Sequence, residues 1–255
     1  MDTRYLPGKF IWFEHASTDI EKARAFYEPL FGWHVETMQL AGQPYHMLMN
    51  GSGGIGGLVT AKAGARPAWH SYISVPDVDQ QYRAALAAGA TSVLPPTDFP
   101  PVGRGASLVD PIGAAVSVWK SHQGDRPDPA QTPDGDWYWN ELWTSDAGRA
   151  IAFYEQVFGY THEVMNAGQP NPYVLLHAAG KPRAGVFQAP DENTPPMWLP
   201  YVHVADCDAT AAKAAQLGAN VFMPATDVPG VGRFAAMFDP QGAAVAFIKG
   251  APAQG

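Results

Sequence analysis

Two glutamates stand at matched places in the chain and are the side chains best suited to chemistry. Glu14 recurs as Glu141, 127 residues later, and each follows a tryptophan by two residues, at Trp12 and Trp139. Loss of hydration in an aromatic surrounding raises the pKa of a carboxyl group, which suits a general base. We therefore predict that Glu14 and Glu141 are catalytic bases or ligand anchors. The alternative is that they accept hydrogen bonds from backbone or tyrosine groups nearby.

Other polar side chains share an alternating pattern with these glutamates along strand-like segments. We predict that they bind a ligand together with the two tryptophans: His70 and Tyr72 in the first half, and Tyr201 and His203 in the second. An apolar cavity with a few convergent polar groups is the usual anatomy of a ligand site. For either histidine, a hydrogen-bonded structural role is the alternative.

Arg104 and Arg233 lie in matched Val-Gly-Arg segments. We predict that they hold an anionic ligand, because a guanidinium group presents paired donors to a carboxylate or phosphate. The alternative is that each arginine pairs with a carboxylate close by.

These candidates belong to an internal repeat, which has to be recognised before the fold is assigned. Three blocks recur in order: FYEPLFG at 26–32 and FYEQVFG at 153–159, VGR at 102–104 and 231–233, and Asp-Pro-x-Gly at 110–113 and 239–242. A Pro-rich segment without apolar periodicity joins the halves at 121–135. The sequence therefore predicts a domain at 1–120, a linker at 121–135 and a second domain at 136–255.

Periodicity predicts the same order of elements twice in each half, namely one strand, one helix and three strands. Thr18 and Glu21 match a capping box that would begin the first helix, and Gly32 would end it. The glycine-rich run 51–57 is predicted to be a mobile hairpin turn. The fold class is thus α+β, a tandem duplication of paired βαβββ modules, four in all. Each half would form a cup-shaped mixed sheet with its helices outside.

In these motifs the sequence resembles the vicinal-oxygen-chelate superfamily, which includes glyoxalase I, bleomycin-resistance proteins and extradiol dioxygenases. The resemblance rests on the Phe-Tyr and Phe-Gly pairs and the Asp-Pro-x-Gly motif, all present twice. It implies a divalent metal in the cup, held by two strand histidines and a glutamate. The implied ligand positions hold Trp12, His70 and Ser117 in the first half, and Trp139, Leu199 and Ala246 in the second.

Only His70 keeps a strong metal-ligating side chain among these positions, and a catalytic site needs three or four ligands. We therefore expect no metal and no other cofactor. The alternative is a divalent metal held in an unconventional way, for example by His70 and Glu14.

Composition limits the other function classes. The net charge is −8 and no run of basic residues offers a phosphate-binding stripe, so a nucleic-acid partner is not expected. No segment approaches the apolar length of a membrane span, so no membrane partner is expected. The single cysteine, Cys207, cannot form a disulfide within the chain, which indicates a reducing cytoplasm. Cys207 itself is predicted to fill space in the core.

The sequence thus predicts a cytoplasmic protein, monomeric or homodimeric, that binds a small molecule in an aromatic cup without the usual metal. The alternative is a lyase, isomerase or dioxygenase of the same superfamily, acting on a small carbonyl or vicinal-oxygen substrate.

Overall fold

A computed structural model describes residues 4–40, 42–167, 171–189, 191 and 194–251. Within these residues it confirms four βαβββ modules in succession. The first half contains β1 (Phe10–Ser17), α1 (Ile20–Phe31), β2 (His34–Leu40), β3 (Gln43–Asn50), β4 (Gly53–Thr60), β5 (Ala68–Ser74), α2 (Val78–Ala87), β6 (Thr91–Phe99), β7 (Gly103–Val109) and β8 (Ala115–Ser121). The second half contains β9 (Trp137–Thr144), α3 (Ala147–Phe158), β10 (Thr161–Met165), β11 (Tyr173–Ala178), β12 (Lys181–Gln188), β13 (Met197–His203), α4 (Cys207–Gln216), β14 (Asn220–Val228), β15 (Gly232–Phe238) and β16 (Ala244–Gly250).

The strands of each half form one eight-stranded mixed sheet. The strand orders are β2-β3-β4-β1-β5-β8-β7-β6 and β10-β11-β12-β9-β13-β16-β15-β14, so the two halves have the same topology. The first strand of a module pairs in parallel with the last, as β1 does with β4 and β5 with β8. Parallel pairing requires a crossover, which the module's helix and intervening hairpin provide. The α+β class and the duplication are therefore confirmed.

The N-cap of the first helix lies one residue later than predicted. Asp19 is the N-cap residue, and its side chain accepts a hydrogen bond from Lys22 N at 3.0 Å. Thr18 is not the cap, because its backbone N–H and its hydroxyl both donate to Gln241 Oε1. The predicted end is correct: Gly32 adopts φ = 75°, the left-handed conformation that glycine takes without a steric penalty.

The glycine-rich run is a strand for most of its length. Only residues 51 and 52 form a turn, and β4 begins at Gly53, so the predicted hairpin turn at 51–57 is wrong beyond its first two residues. A side chain at Gly56 would collide with the carbonyl oxygen of Phe13 in the neighbouring strand. Close backbone approach therefore explains a glycine that the sequence alone suggested to be a flexible position.

The helices and strands gather into two compact units that combine modules from both halves. Unit 1 comprises 1–12, 70–128 and 139–198, and unit 2 comprises 13–69, 129–138 and 199–255. The core of unit 1 contains Val118 from the first half and Leu142 and Tyr154 from the second, all three fully buried. The predicted division into domains at 1–120 and 136–255 stays a prediction.

Within unit 1, part of the linker is tied down by ion pairs. The Asp128 carboxylate lies 2.7 Å from Arg183 Nη1, 2.8 Å from Lys181 Nζ and 3.2 Å from Lys9 Nζ. Burial alone would raise the pKa of Asp128, but hydrogen bonds from Arg183 and Lys181 outweigh it and hold that pKa well below its ordinary value. Asp128 is therefore charged at neutral pH, and its ion pairs hold this part of the linker against Lys9, Lys181 and Arg183.

The repeated Asp-Pro-x-Gly and Phe-Tyr motifs form a buried network in unit 1. Asp110 Oδ1 accepts hydrogen bonds from three backbone N–H groups of its own turn, at 2.8–2.9 Å. Its Oδ2 accepts from the Tyr154 hydroxyl at 3.1 Å, and Trp198 Nε1 donates to that hydroxyl at 2.9 Å. Burial raises the pKa of Asp110 despite these bonds. The motifs that carry the family resemblance thus stabilise the fold.

Unit 2 repeats this network with one added residue. Asp239 Oδ2 accepts a hydrogen bond from the Tyr27 hydroxyl at 2.9 Å, and Trp69 Nε1 donates a hydrogen bond to that hydroxyl at 2.9 Å. His15 is fully buried, and its Nε2 lies 2.8 Å from Asp239 Oδ2. The matched position in the repeat is Leu142, which is also fully buried. Burial would raise the pKa of Asp239, but the hydrogen bond and charge of His15 reverse the direction and lower it.

Candidate functional site

The two glutamates occupy equivalent positions in their sheets. Glu14 on β1 pairs in register with Gly57 on β4, and Glu141 on β9 pairs with Gly185 on β12. Directly paired residues of adjacent strands lie on the same face of a sheet. Each carboxylate therefore stands beside a position that has no side chain.

A tyrosine from the next strand reaches each carboxylate. The Tyr45 hydroxyl on β3 donates to Glu14 Oε1 at 2.7 Å. In the second half the Tyr173 hydroxyl on β11 hydrogen-bonds to Glu141. The same hydroxyl accepts a hydrogen bond from Trp139 Nε1 at 2.9 Å. Burial, followed by the charge of Glu141, raises the pKa of Tyr173 well above its ordinary value. This phenol therefore keeps its proton for the carboxylate at neutral pH.

The glycines make room for these tyrosines. A Cβ atom at Gly57 would collide with the Tyr45 hydroxyl oxygen, and one at Gly185 would collide with the Tyr173 hydroxyl oxygen. Neither glycine has a positive φ, so the requirement is one of space and not of backbone conformation. Tyrosine, glutamate and glycine thus form one arrangement, here called the Tyr–Glu–Gly cluster, which both halves contain.

Sequence reasoning singled out the glutamates and gave tyrosine donors as the alternative interpretation, but it did not identify Tyr45 and Tyr173 as those donors. A signal was present, since Pro44-Tyr45 recurs as Pro172-Tyr173. A period-two pattern shows which residues of one strand share a face, but it does not say which neighbouring strand supplies the partner.

The remaining predicted residues of the first half lie on unit 1 strands. His70 and Tyr72 are partly buried and alternate along β5. Tyr72 pairs in register with Ser117, and its ring meets Trp119 edge-on at 6.3 Å. Trp12 is partly buried on β1, on the same side of the strand as Glu14 by alternation.

Tyr201 and His203 lie on β13 in unit 2. Tyr201 is 5% exposed, and its ring lies 5.9 Å from that of Phe234. His203 stacks on Tyr138 at 5.5 Å, with Nδ1 at 3.0 Å from Asp134 Oδ1. That contact is of ionic range but is not an aligned hydrogen bond. A role of these side chains in ligand binding stays a prediction.

The two predicted arginines form matched ion pairs. Arg104 donates two hydrogen bonds to the Asp79 carboxylate, from Nε at 2.8 Å and from Nη2 at 2.9 Å. Its Nη1 donates a third, to Asp98 at 2.8 Å. The second half repeats this arrangement at Arg233, Asp208 and Asp227. The hydrogen bond from Arg104 lowers the pKa of Asp79. The observed partners are those of the alternative interpretation, and an anionic ligand at either arginine stays a prediction.

The positions that the superfamily uses for metal do not fit a metal ion in this chain. Trp139 donates its only polar hydrogen to Tyr173, and Ser117 shares a hydrogen bond of 2.8 Å with Ser107. Leu199 and Ala246 carry no ligating atom and are fully buried. Among the residues that the structure describes, no three His, Cys, Asp or Glu side chains gather as a metal site would require. A metal-free protein stays a prediction.

Comparison with known proteins assigns the family. A family model described as a glyoxalase-like domain matches residues 12–119 and again 139–248. The chain belongs to the glyoxalase-like domain family. This glyoxalase-like chain is 35% identical to "Putative glyoxylase CFP32" of Mycobacterium tuberculosis, over 99% of the chain and 98% of that protein. It is 28% identical to "Anthracycline biosynthesis protein DauV" of Streptomyces sp. strain C5, over 97% and 95%.

Solved structures support the same fold. The glyoxalase-like chain superposes on the Mn(II)-bound glyoxalase from Novosphingobium aromaticivorans with a TM-score of 0.65 and 16% identity, covering 96% of this chain and 82% of that one. A 2,2',3-trihydroxybiphenyl 1,2-dioxygenase from Sphingomonas wittichii gives a TM-score of 0.64 at 16% identity, with coverage of 96% and 91%. None of the helices in the described part of the chain has the length and apolar character needed to cross a bilayer.

Proposed function

We propose that this protein binds a small aromatic molecule through the Tyr–Glu–Gly clusters, without the divalent metal of related enzymes. The observation that carries the proposal is the duplicated cluster, in which Tyr45 aligns Glu14 and Tyr173 aligns Glu141. A carboxylate held in this way accepts hydrogen bonds from an ammonium or hydroxyl group of a ligand. Trp12 and Trp139, each two residues before a glutamate on its strand, offer apolar area for a ring.

Similarity to an anthracycline biosynthesis protein supports a planar polycyclic ligand. The formal net charge of −8 favours a cationic or neutral ligand over an anionic one. We therefore propose as probe an anthracycline that carries an amino sugar, with its neutral aglycone as the matched compound.

Isothermal titration of the purified protein with both probes tests the proposal. The aminated probe should bind saturably and more tightly than the aglycone. Glu14→Gln should weaken its binding by about 10- to 150-fold, the equivalent of about 1.5–3 kcal/mol for a hydrogen bond to a charged group. Absence of saturable binding by both probes would overturn the proposal.

A second candidate, an enzyme of the lyase, isomerase or dioxygenase type, is favoured by the similarity to a protein named as a glyoxylase. Metal analysis of the purified protein separates the two candidates. A stoichiometric transition metal, with turnover of a small carbonyl or vicinal-diol compound that chelation abolishes, would favour the enzyme. A metal-free protein that binds the probe and turns over neither compound class supports the binding function.

A further inference from the structure

Trp119 of β8 lies across the neighbouring strand β7, over two glycines of unit 1. A Cβ atom at Gly105, which pairs with Trp119 in register, would lie 2.5 Å from Cε3 of the indole and 2.9 Å from Cζ3. A Cβ atom at Gly103 would lie 2.6 Å from Cζ2 and 2.8 Å from Cε2. Neither glycine has a positive φ, so both provide space and not a special backbone conformation. Opposite edges of the six-membered ring thus rest on two glycines, and one face of the indole lies against the sheet.

The opposite face of this indole is the one that a ligand can reach. Trp119 is partly exposed although the sheet covers one side of its ring. The Tyr72 ring meets it edge-on at 6.3 Å, and the Phe99 ring is tilted against it at 5.6 Å. These contacts fix the orientation of the indole. A flat ring held in this way is suited to offset stacking with an aromatic ligand.

Two hydroxyl groups lie beside the indole on the same face of the sheet. Ser117 precedes Trp119 by two residues on β8 and pairs in register with Ser107 on β7. The two hydroxyl oxygens are 2.8 Å apart. Their mutual hydrogen bond uses one of two hydroxyl hydrogens, and Ser107 is partly exposed. The pair can therefore form a hydrogen bond with an oxygen atom of a ligand that stacks on Trp119.

The second half has neither the indole nor the hydroxyl groups. Its matched positions hold apolar side chains: Phe234 for Gly105, Ile248 for Trp119, Ala236 for Ser107 and Ala246 for Ser117. Ile248 and both alanines are 3% exposed or less. The chain itself thus shows that this part of the sheet packs well with apolar side chains alone. Structural need does not account for an indole and two hydroxyl groups in the first half.

We propose that Trp119 is the floor of a second binding site, which takes a flat aromatic ring that carries a hydroxyl group. The ring stacks on the indole face that points away from Gly103 and Gly105, and the hydroxyl group bonds to the Ser107–Ser117 pair. This site lies within unit 1. It requires no carboxylate and no charge on the ligand, so it does not depend on the Tyr–Glu–Gly clusters.

Fluorine-19 NMR of the protein labelled with 5-fluorotryptophan tests the site directly. The resonances of Trp119 and Trp198 are identified as those missing from Trp119→Phe and Trp198→Phe. Titration with 2-naphthol should shift the Trp119 resonance saturably. Trp198, which is 3% exposed and donates to Tyr154, should not respond. Decahydro-2-naphthol, which keeps the hydroxyl group but has no aromatic ring, should shift the Trp119 resonance less. A Trp119 resonance that does not respond to 2-naphthol, or that moves no more than that of Trp198, overturns the proposal.

Calorimetry on variants copied from the second half separates the ring from the hydroxyl groups. Gly105→Phe combined with Trp119→Ile introduces the pair that the second half already packs, so the variant should fold, as circular dichroism checks. It should weaken 2-naphthol binding at least about fivefold. Ser107→Ala combined with Ser117→Ala should weaken it about two- to tenfold.

The matched control lies in the second half. Ile248→Val should leave the affinity for 2-naphthol within about twofold of the wild type. An unchanged affinity in the Gly105 and Trp119 double variant overturns the stacking role of Trp119. An unchanged affinity in the double serine variant overturns the hydroxyl role. Both outcomes are independent of the aminated probe, so they do not decide the function proposed for the Tyr–Glu–Gly clusters.

Discussion

Replacing His15 by leucine tests the buried network of unit 2 against the native network of unit 1. Leu142 occupies the matched position, so the chain itself shows that leucine is compatible with this environment. The substitution removes the hydrogen bond from His15 Nε2 to Asp239 Oδ2, 2.8 Å long. Asp239 keeps the Tyr27 hydroxyl and the backbone N–H groups of its turn.

Two opposing effects determine how much His15→Leu changes the free energy of unfolding. A hydrogen bond to a charged group contributes about 1.5–3 kcal/mol, which the variant loses. His15 Nδ1 is buried without a hydrogen-bond partner, and removing such an atom recovers about 1–3 kcal/mol. We expect His15→Leu to change the free energy of unfolding at pH 7 by no more than about 2 kcal/mol, because these two effects largely cancel. His15→Ala should cost more, because it leaves a cavity.

The pKa of Asp239 should change more clearly than the stability. With His15 present, the pKa is lowered, so the charged carboxylate contributes stability above the unfolded-state pKa and loses it as pH falls. Without His15, burial dominates and the pKa should rise, as it does for Asp110. The stability contribution then reverses sign, being greatest at low pH and falling as pH rises through the unfolded-state pKa.

Carbon-13 NMR titration of the aspartate carboxyl groups measures this pKa directly, with Asp110 as the control within the same molecule. Urea unfolding at pH 4 and pH 7 gives the stability, and the variant should lose less at pH 4. An Asp239 pKa that stays low in His15→Leu would refute the role of His15. A loss of more than about 4 kcal/mol, which breaking a fully buried ion pair would cause, would refute the cancellation of the two opposing effects.

Three further predictions concern the cluster and the ion pairs. Gly57→Ala should displace Tyr45 and thereby lower the affinity for the aminated probe measured by calorimetry, while the midpoint of urea unfolding stays nearly unchanged. An unaltered affinity would contradict the role of this glycine. Arg104→Gln should lower the stability to urea at low salt and by less in 1 M NaCl, since salt screens exposed ion pairs; a salt-independent loss would contradict an electrostatic cause. Asp128→Asn should raise the rate at which proteinase K cleaves residues 121–135 at neutral pH, where the lowered pKa keeps the wild-type carboxylate charged; equal cleavage rates would show that other contacts hold the linker.

The fold could be predicted from sequence because each element carries a local signal. Four repetitions of strand, helix and three strands follow from periodicity, and all four were confirmed. The errors were local as well. Thr18 and Asp19 are both good capping residues, and only the distant Gln241, which takes the polar groups of Thr18, decides between them. Gly56 looked flexible because the strand that crowds it lies far away in sequence.

The pairing of modules into compact units was beyond sequence reasoning for a different reason. All four modules have the same apolar faces, so their periodicity is equally compatible with any partner. The choice depends on side chains that meet only in the folded chain, as when Trp198 donates to Tyr154 and Tyr154 to Asp110. The repeated motifs show that the chain is duplicated, but not which side chains the fold brings together.

The candidate site has the same limitation, because symmetry in sequence makes two sites look equal when their surroundings are not. Glu14 and Glu141 match in position, in register with a glycine and in their tyrosine partner. They differ in a neighbour two residues along the strand, and that neighbour supplies an N–H at 2.5 Å in one copy only. Burying a carboxylate costs free energy, which donors from the protein offset in a structural position and donors from a ligand offset in a binding site. Trp143 and Ala16 occupy the matched position, so the sequence already contains this difference, but its effect on Glu141 depends on the fold.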